Sequence, residues 1–366
     1  MAVIVTIMAN TYVSEHVPQF AESTEEFAKT NQHLRILTPY KKGNHPAWLQ
    51  NVELYEGLAS EVAHNWRKPL PPLYRIWREL LWAWRLFDTS KKYDLVLTGS
   101  DRVGLFFGAA QQCFRRRKVH HIYLDFYVNV EGGIIEASIR RIFYGLAARG
   151  ASYVIVQRNC ETALYSQTLW MPASRFPLIL YHATIFDTPS ETGEGGYIFS
   201  GGDSDRDYPL LIEAVRELPY RVVIAALRRD HFAGLTIPSN VEIITASAAE
   251  FLKLVGNSSL VVVPLKKRPQ HVGGEQTYAN AMTMGKPTIV TDLGATDYIV
   301  DGQTGFLTPA GDVAALRRAI ERTMQDRILA QTVGKRAKEA SAAFKPERFF
   351  ADVFRLCEEC AGHAQH

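Results

Sequence analysis

A glycine-containing segment near residue 273 has the residue types that bind a phosphate group. It lies between an apolar run, VVVPL at residues 261–265, and a helical pattern that starts near Glu275. Gly273 and Gly274 let an oxygen-rich group approach the backbone, and the free N–H groups and dipole of a helix start favour its negative charge. Further donors flank the glycines: Lys266, Lys267, Arg268, Gln276 and Thr277. The segment therefore predicts an anion-binding site.

A second candidate for anion binding is FSGGDSDRDYPLLIEAV, residues 199–215, which is typical of a strand, a glycine-rich turn and a helix start. Arg206 follows Gly201 and Gly202, and its guanidinium can donate two hydrogen bonds to one phosphate. The alternative is a surface ion pair with a neighbouring aspartate. Carboxylates before a helix more often cap it than bind metal, which applies to Asp203, Asp205 and Asp207. Because cationic groups can offset a diphosphate here, we expect no metal ion.

The first half of the chain has polar residues at the ends of apolar runs, where they could meet a second substrate. These are Ser100, Asp101, His121, Asp125 and Tyr127. Asp125 ends the run HIYLDF, and its carboxylate could act as a general base on a hydroxyl or bind a sugar. A cap of the next segment is the alternative. His182, in LYHATIF, is as consistent with a structural role as with a functional one.

Short apolar runs alternate with longer helical patterns along the chain. In the first half the runs lie near Val3, Ile36, Leu95, Ile122 and Val154, with helical patterns at 102–114 and 133–149. After residue 196 the alternation begins again with GYIFSGG, RVVIAAL, LVVVPL and PTIVTD. Strands buried on both faces that alternate with helices indicate a parallel sheet. Each half is therefore predicted to be an α/β domain.

The two predicted domains are separated by FDTPSETGEGG, residues 186–196, in which acidic, glycine and proline residues replace the apolar rhythm. We predict a first domain over 1–185, this linker, a second domain over 197–344 and a terminal helix over 345–366. The helix has a wide apolar face and is expected to pack back on the first domain. Paired domains of this kind bind ligands where the carboxyl ends of their strands face a cleft.

The second domain contains text that resembles the GT-B glycosyltransferases, in particular the retaining family-four enzymes, also called glycosyl transferases group 1. The matching stretches are NAMTMGKPTIVTD and DGQTGFLTPAGD, and the resemblance is specific over about residues 195–325. It implies two Rossmann-like domains that face each other across a cleft. It also implies that the second domain binds a nucleotide-sugar and that the first binds the acceptor.

Several positions depart from the family pattern. The glutamate that typically holds the donor ribose falls on Asn280, and the family's first glutamate falls on Val272. Asn280 can still hydrogen-bond two hydroxyls, and Glu275 is a candidate for contact with the donor sugar. The family's diphosphate-clamping arginine falls on Gly201 and its lysine on Arg206. Asp125 takes the place of a histidine that touches the donor sugar.

Composition limits the function classes. A net charge of +3 and a pI near 8.5 fall short of the clustered basic surface of a nucleic-acid-binding protein. The four cysteines are too scattered for a disulfide scaffold, which favours a reducing compartment. The N-terminal residues lack the pattern of a signal peptide, and no long apolar run is present. We therefore expect a cytoplasmic protein with no cofactor, the nucleotide-sugar being a substrate.

One helical pattern, LPPLYRIWRELLWAWRLF at residues 70–87, is both aromatic and basic. Its tryptophans and arginines suit an interfacial helix beside anionic headgroups at the inner face of a membrane. They equally suit a core helix with a basic outer side. The basic run Arg115, Arg116, Arg117 and Lys118 raises the same question.

The sequence as a whole predicts a glycosyltransferase that moves a sugar from a nucleotide-diphosphate-sugar to an acceptor hydroxyl, without a metal and, by the resemblance, with retention. The acceptor is a sugar, a lipid-linked glycan or a small molecule. Two alternatives stay open, a nucleotide-sugar epimerase of the same fold and a nucleotide-sugar-binding module without turnover. The residues do not indicate the sugar, the base or the oligomeric state.

Overall fold

The computed structural model describes residues 34–38, 52–54, 72–99, 101–114, 119–128, 133–186, 192–266, 273–294 and 298–362. All of them belong to one compact unit, His33–His366. Several predicted features lie outside the described residues: the strand near Val3, Ser100, the basic run 115–118, residues 187–191 of the linker, Lys267, Arg268 and Val272.

The first half contains a parallel sheet of short buried strands. The strands are β1 (Ile36–Thr38), β2 (Glu53–Leu54), β3 (Leu95–Gly99), β4 (His120–Asp125) and β5 (Tyr153–Val154). Their order in the sheet is β2-β1-β3-β4-β5, and every pair is parallel. Because alternate side chains of a strand face opposite ways, Val96 packs with helices on one face while Leu95 and Leu97 join a cluster on the other.

Helices cover both faces of this first sheet. They are α1 (Pro72–Thr89), α2 (Arg102–Cys113), α3 (Ile134–Arg149) and α4 (Asn159–Leu169). Trp82, Leu86 and Phe87 of α1 pack with Val96 and with Phe107 of α2. The opposite cluster includes residues from the last helix of the chain, α10 (Pro346–Gly362).

The second half contains a second parallel sheet, of order β11-β10-β9-β6-β7-β8. Its strands are β6 (Tyr197–Gly201), β7 (Arg221–Ala225), β8 (Val241–Ile244), β9 (Leu260–Val263), β10 (Thr288–Asp292) and β11 (Phe306–Pro309). Its helices are α5 (Tyr208–Val215), α6 (Ala248–Asn257), α7 (Glu275–Thr283), α8 (Val313–Gln325) and α9 (Arg327–Ala340). The predicted α/β class is confirmed.

The second sheet is also covered on both faces. Phe199, Val261 and Val263 contribute to a cluster with α6 and α7, and Ile198, Val222 and Val262 contribute to one with α5, α8 and α9. In such a doubly wound sheet, the loops that follow the strands lie together at the carboxyl ends of the strands. The helix starts that follow those loops lie there as well. The strand β11 and the helix α9 are elements that the sequence patterns did not predict. None of the described helices is long and apolar enough to cross a lipid bilayer.

The candidate active site between the two sheets

A cavity of about 720 Å³ lies between the two halves, lined by residues that follow strands of both sheets. From the first half it receives Asp125, Tyr127 and Arg158, and from the second Arg206 and Lys266. Two predicted first-half residues, Asp125 and Tyr127, and two predicted second-half cations therefore face one space. A cleft at the carboxyl ends of parallel strands is the usual ligand site of this architecture.

Arg206 is the central residue of the second-half wall. It is only 3% exposed, and it lies between the turn after β6 and the start of α7. Its Nε donates to the carbonyl of Gly201 at 2.8 Å, Nη1 to the carbonyl of Ser204 at 2.7 Å, and Nη2 to Thr277 Oγ1 at 3.0 Å. The surface ion pair considered from the sequence is therefore wrong. Arg206 therefore connects the two glycine-containing segments through hydrogen bonds made inside the protein.

The buried guanidinium remains a cation. Burial lowers the pKa of Arg206 from its usual value, and nearby Tyr208 and Asp205 oppose that change. An arginine starts from so high a pKa that it stays charged at neutral pH. A positive charge held in a partly dry wall attracts an anion more strongly than the same charge in water.

The glycines of both segments permit a close approach that other residues would block. Gly202 and Gly274 have φ values of +102° and +105°, which L side chains rarely adopt. A Cβ on Gly274 would also lie 2.9 Å from Val263 Cγ1, and one on Gly273 would lie 3.0 Å from the carbonyl oxygen of Ser204. The two turns thus touch each other.

The helix α7 begins at this contact. Gly274 is its N-cap and offers no side chain to the first-turn N–H groups. Those groups and the helix dipole favour an anion. Lys266, which is exposed, lines the cavity nearby, and its backbone N–H donates to the carbonyl of Asp205 at 2.8 Å.

Glu275 makes an ion pair that the sequence did not predict. It pairs with Arg158, which also pairs with Glu161. Arg158 and Glu161 belong to the first half, so this group of charges crosses between the halves. The i, i+3 spacing of Arg158 and Glu161 at a helix start was a readable signal. No local sequence pattern indicated that Glu275 is the third member of this group of charges. Its predicted contact with a donor sugar must coexist with its ion pair to Arg158.

Two other residues of α7 that were predicted to bind the donor contact the crossover segment, residues 182–185, which connects the two halves. Asn280 is 2% exposed; its Oδ1 accepts from the backbone N–H of Ile185 and its Nδ2 donates to Thr184 Oγ1, both at 2.9 Å. Gln276 Nε2 donates to the carbonyl of His182 at 3.0 Å. The ribose contact of Asn280 and the phosphate contact of Gln276 stay predictions, and both amides also bind the chain that connects the halves.

The first-half candidates also separate into different roles. His121 is fully buried within β4, where its Nε2 lies 2.8 Å from Thr98 Oγ1 and its ring packs against Phe107 and Tyr123. Its predicted acceptor-side role is wrong, since its side chain is part of the sheet's core. Asp101 caps α2, accepting from the backbone N–H of Gly104 at 2.9 Å.

The alternating aspartates stabilise loops around the cavity. Asp203 accepts hydrogen bonds from the backbone N–H groups of Leu227 and Arg228, and Asp207 caps α5 by accepting from Leu210. Asp205 has a φ of +55° and lines the cavity. The predicted capping role holds for Asp207, and Asp203 connects the turn after β6 to the loop after β7.

His182 lies in an aromatic cluster. It is 5% exposed and packs against Tyr181, Phe349 and Phe350, the last two from α10. Of its two readings, the structure favours the structural one.

The helix predicted over residues 70–87 divides its tryptophans between two environments. Trp82 is 5% exposed, whereas Trp77 and Trp84 are 65% and 52% exposed. The helix is therefore part of the core on one side and aromatic on its outer side. The helix α3, whose Phe143 packs against Phe106 of α2, exposes Ile134, Ile135, Ile139 and Ile142, which the sequence patterns did not single out.

Comparison with known proteins agrees with this geometry. Residues 206–326 match the family model described as glycosyl transferases group 1. This is the region in which the sequence resemblance was found, so that resemblance is confirmed. No curated protein sequence matches the chain.

Solved structures match over most of the chain. Anabaena Alr3699/HepE, solved in complex with UDP and glucose, is 16% identical, with a TM-score of 0.66 over 89% of this chain and 100% of that one. A glycosyltransferase from Rickettsia africae gives 0.64 at 15% identity, over 90% and 99%. Sucrose-phosphate synthase from Thermosynechococcus elongatus gives 0.58 at 18% identity, over 80% of each chain.

The chain has the GT-B fold. Identities this low establish the fold of the whole chain, while the family match concerns the second half. The two Rossmann-like domains of this fold meet at the cavity described above.

Proposed function

We propose that the protein transfers a sugar from a nucleotide-diphosphate-sugar to an acceptor hydroxyl in the cavity between its two halves. The observation that carries the proposal is the buried Arg206, which lines the cavity and connects the two glycine-containing segments by hydrogen bonds. Its segment begins the region that matches the glycosyltransferase family. The proposed donor is a uridine diphosphate sugar, since Anabaena HepE was solved with UDP-glucose.

In this mechanism the second half stabilises the leaving diphosphate. Negative charge grows on the diphosphate as its bond to the sugar breaks, and fixed positive groups lower the barrier most where that charge develops. Arg206 and Lys266 line the cavity, and Arg206 connects it to the start of α7 through Thr277, where the helix dipole favours negative charge. Arg206 is held rigidly by its three hydrogen bonds, so little reorganisation is needed.

The first half supplies the acceptor side. Asp125 is exposed at the end of β4 and lines the cavity with Tyr127. Its carboxylate either binds sugar hydroxyls, which suits the retention implied by the resemblance, or removes the acceptor proton, which suits inversion. We propose retention.

The proposal includes metal independence, because cations of the protein can offset the diphosphate. Activity in the presence of excess EDTA should equal activity without it. A loss of activity that Mg²⁺ or Mn²⁺ restores would contradict this part of the proposal.

The test of the function itself begins with ligand-induced stabilisation. UDP, GDP, ADP, CMP and their common sugar conjugates are added separately, and a ligand that binds the folded state raises the Tm. UDP should give the largest rise. Release of UDP from UDP-sugar that depends on an added acceptor extract would then support transfer. Binding without release would indicate a binding module, and interconversion of donor sugars without an acceptor would indicate an epimerase.

The acceptor is proposed to be lipid-linked, with the first half resting on the inner face of an anionic membrane. Exposed apolar residues of α1 and of α3, among them Trp77, Trp84, Ile135 and Ile139, support this. Such a surface suits the headgroup region of a bilayer.

Vesicle flotation tests the membrane contact. The double variant Ile135→Ser/Ile139→Ser should bind vesicles of phosphatidylglycerol and phosphatidylcholine about tenfold or more weakly than the parent, since each change removes exposed apolar area. The control is Ile328→Ser, which alters an equally exposed isoleucine on α9 of the second half. Equal flotation of all three proteins would exclude this surface.

A further inference from the structure

Arg158 lies between two carboxylates that come from opposite halves of the molecule. It pairs with Glu161 through Nη1 and with Glu275 through Nη2. Arg158 is 4% exposed and Glu161 is 6% exposed, and the side chain of Glu275 is 13% exposed. Both Arg158 and Glu161 line the cavity. Charges this buried are stable only with partners, so the three side chains depend on one another.

The first-half members of this group are fixed by local structure. Arg158 is the N-cap residue of α4, and Glu161 lies in the first turn of that helix, three residues later. Glu161 also accepts a hydrogen bond from the backbone N–H of Gln157 at 3.1 Å. These first-half contacts orient the guanidinium of Arg158. Its Nη2 faces Glu275 of α7. A planar fork of donors can hold two carboxylates at once, which the single ammonium of a lysine cannot do in the same geometry.

The second-half member belongs to a helix that is tied down at two places. Gln276 and Asn280 of α7 bind the crossover segment, as described above. Glu275 instead reaches Arg158 at the start of α4, beside the cavity. Without the Arg158 pair, α7 would keep its hydrogen bonds to the crossover segment and the packing of its core cluster against Cys160, and it would lose the ion pair beside the cavity. We expect the two halves to separate there.

We propose that Arg158 is a positioning residue that sets the separation of the two halves at the cavity. By holding Glu275 it keeps the start of α7 next to the cavity that Arg158 and Asp125 line. The proposal rests in part on the proposed function, since it assigns that helix start to the donor diphosphate. Its structural claim concerns the distance between the halves and can be measured without any ligand.

The experiment measures that distance by double electron–electron resonance. One spin label is placed on the natural Cys113, which is exposed on α2, and the other on Ile328→Cys, which is exposed on α9. Cys160, partly buried, is changed to serine so that it takes no label. In this background Glu275→Ala removes the pair across the halves while Arg158 keeps Glu161 as its partner, so the variant is expected to fold.

The matched control is Glu242→Ala. It also removes a carboxylate paired with an arginine, Arg221 at 2.7 Å, but both partners lie within the second sheet. Glu275→Ala should lengthen and broaden the distance distribution, and Arg158→Lys should do the same. Glu242→Ala should leave the distribution as it is in the parent. Unchanged distributions for folded Glu275→Ala and Arg158→Lys would overturn the proposal.

A second readout separates this proposal from the proposed function. The affinity for UDP should fall about tenfold in Glu275→Ala, with no change in Glu242→Ala, if the helix start must be held in place. If the parent does not bind UDP, the donor assignment fails, and the resonance distances alone decide the positioning role. A longer distance with unchanged UDP affinity would overturn the link between Arg158 and the donor.

Discussion

The two walls of the cavity are built differently. In the second half, Arg206 makes three hydrogen bonds inside the wall, and the glycines around it are crowded by neighbouring atoms. In the first half, Asp125 is exposed at the end of β4, and Tyr127, two residues later, is partly buried. A wall fixed in advance suits a ligand that is the same in every cycle, such as a diphosphate. An open wall suits an acceptor that must enter and leave.

The largest effect should come from the open wall. Asp125→Asn keeps the size of the side chain and removes its charge. If the carboxylate takes part in transfer, kcat should fall by about 10²–10⁴-fold while UDP affinity stays unchanged. The control is Asp101→Asn, because asparagine caps a helix nearly as well as aspartate. Full activity of Asp125→Asn would show that the carboxylate of Asp125 takes no part in transfer.

A smaller effect, on both UDP affinity and stability, is expected from the second-half wall of the cavity. Arg206→Ala should weaken UDP binding by about 1.5–3 kcal/mol through loss of a charge-assisted contact. It should also lower the free energy of unfolding by about 3 kcal/mol, because the carbonyls of Gly201 and Ser204 lose a buried donor. Calorimetric titration and urea denaturation measure the two quantities. The control is Arg221→Ala, which removes an exposed arginine. If Arg206→Ala binds UDP as tightly as the parent does, Arg206 is only structural.

The smallest effect concerns the shape of that wall. Gly274→Ala should destabilise the fold by about 1–3 kcal/mol, because alanine is strained at this φ and its Cβ would crowd Val263. Gly302→Ala is the matched control: Gly302 also has a positive φ, of +69°, but open space around it. The difference between the two variants in urea denaturation reports the crowding at Gly274 together with its larger φ. Equal losses would show that backbone strain alone accounts for the glycine.

The elements of the fold were largely predictable because they depend on local patterns. Apolar runs flanked by glycine and proline located strands such as β6 and β9, and the second-half motif located the start of α7. The strand β11 was missed because its short run, FLTP, follows a turn and has little apolar length of its own. Gly201, Gly202, Gly273 and Gly274 were predictable as turns for the same reason.

Side-chain partners were less predictable, since they depend on which distant segments meet. The sequence by itself determined two parallel-sheet halves, the glycine turns next to Arg206 and Thr277, and a carboxylate at the end of β4. Only the tertiary structure decided that Asn280 and Gln276 bind the crossover segment, that His121 is buried, and that Arg158 meets Glu275. Periodicity and turn chemistry act within a few residues, whereas these contacts join residues brought together by packing of separate elements.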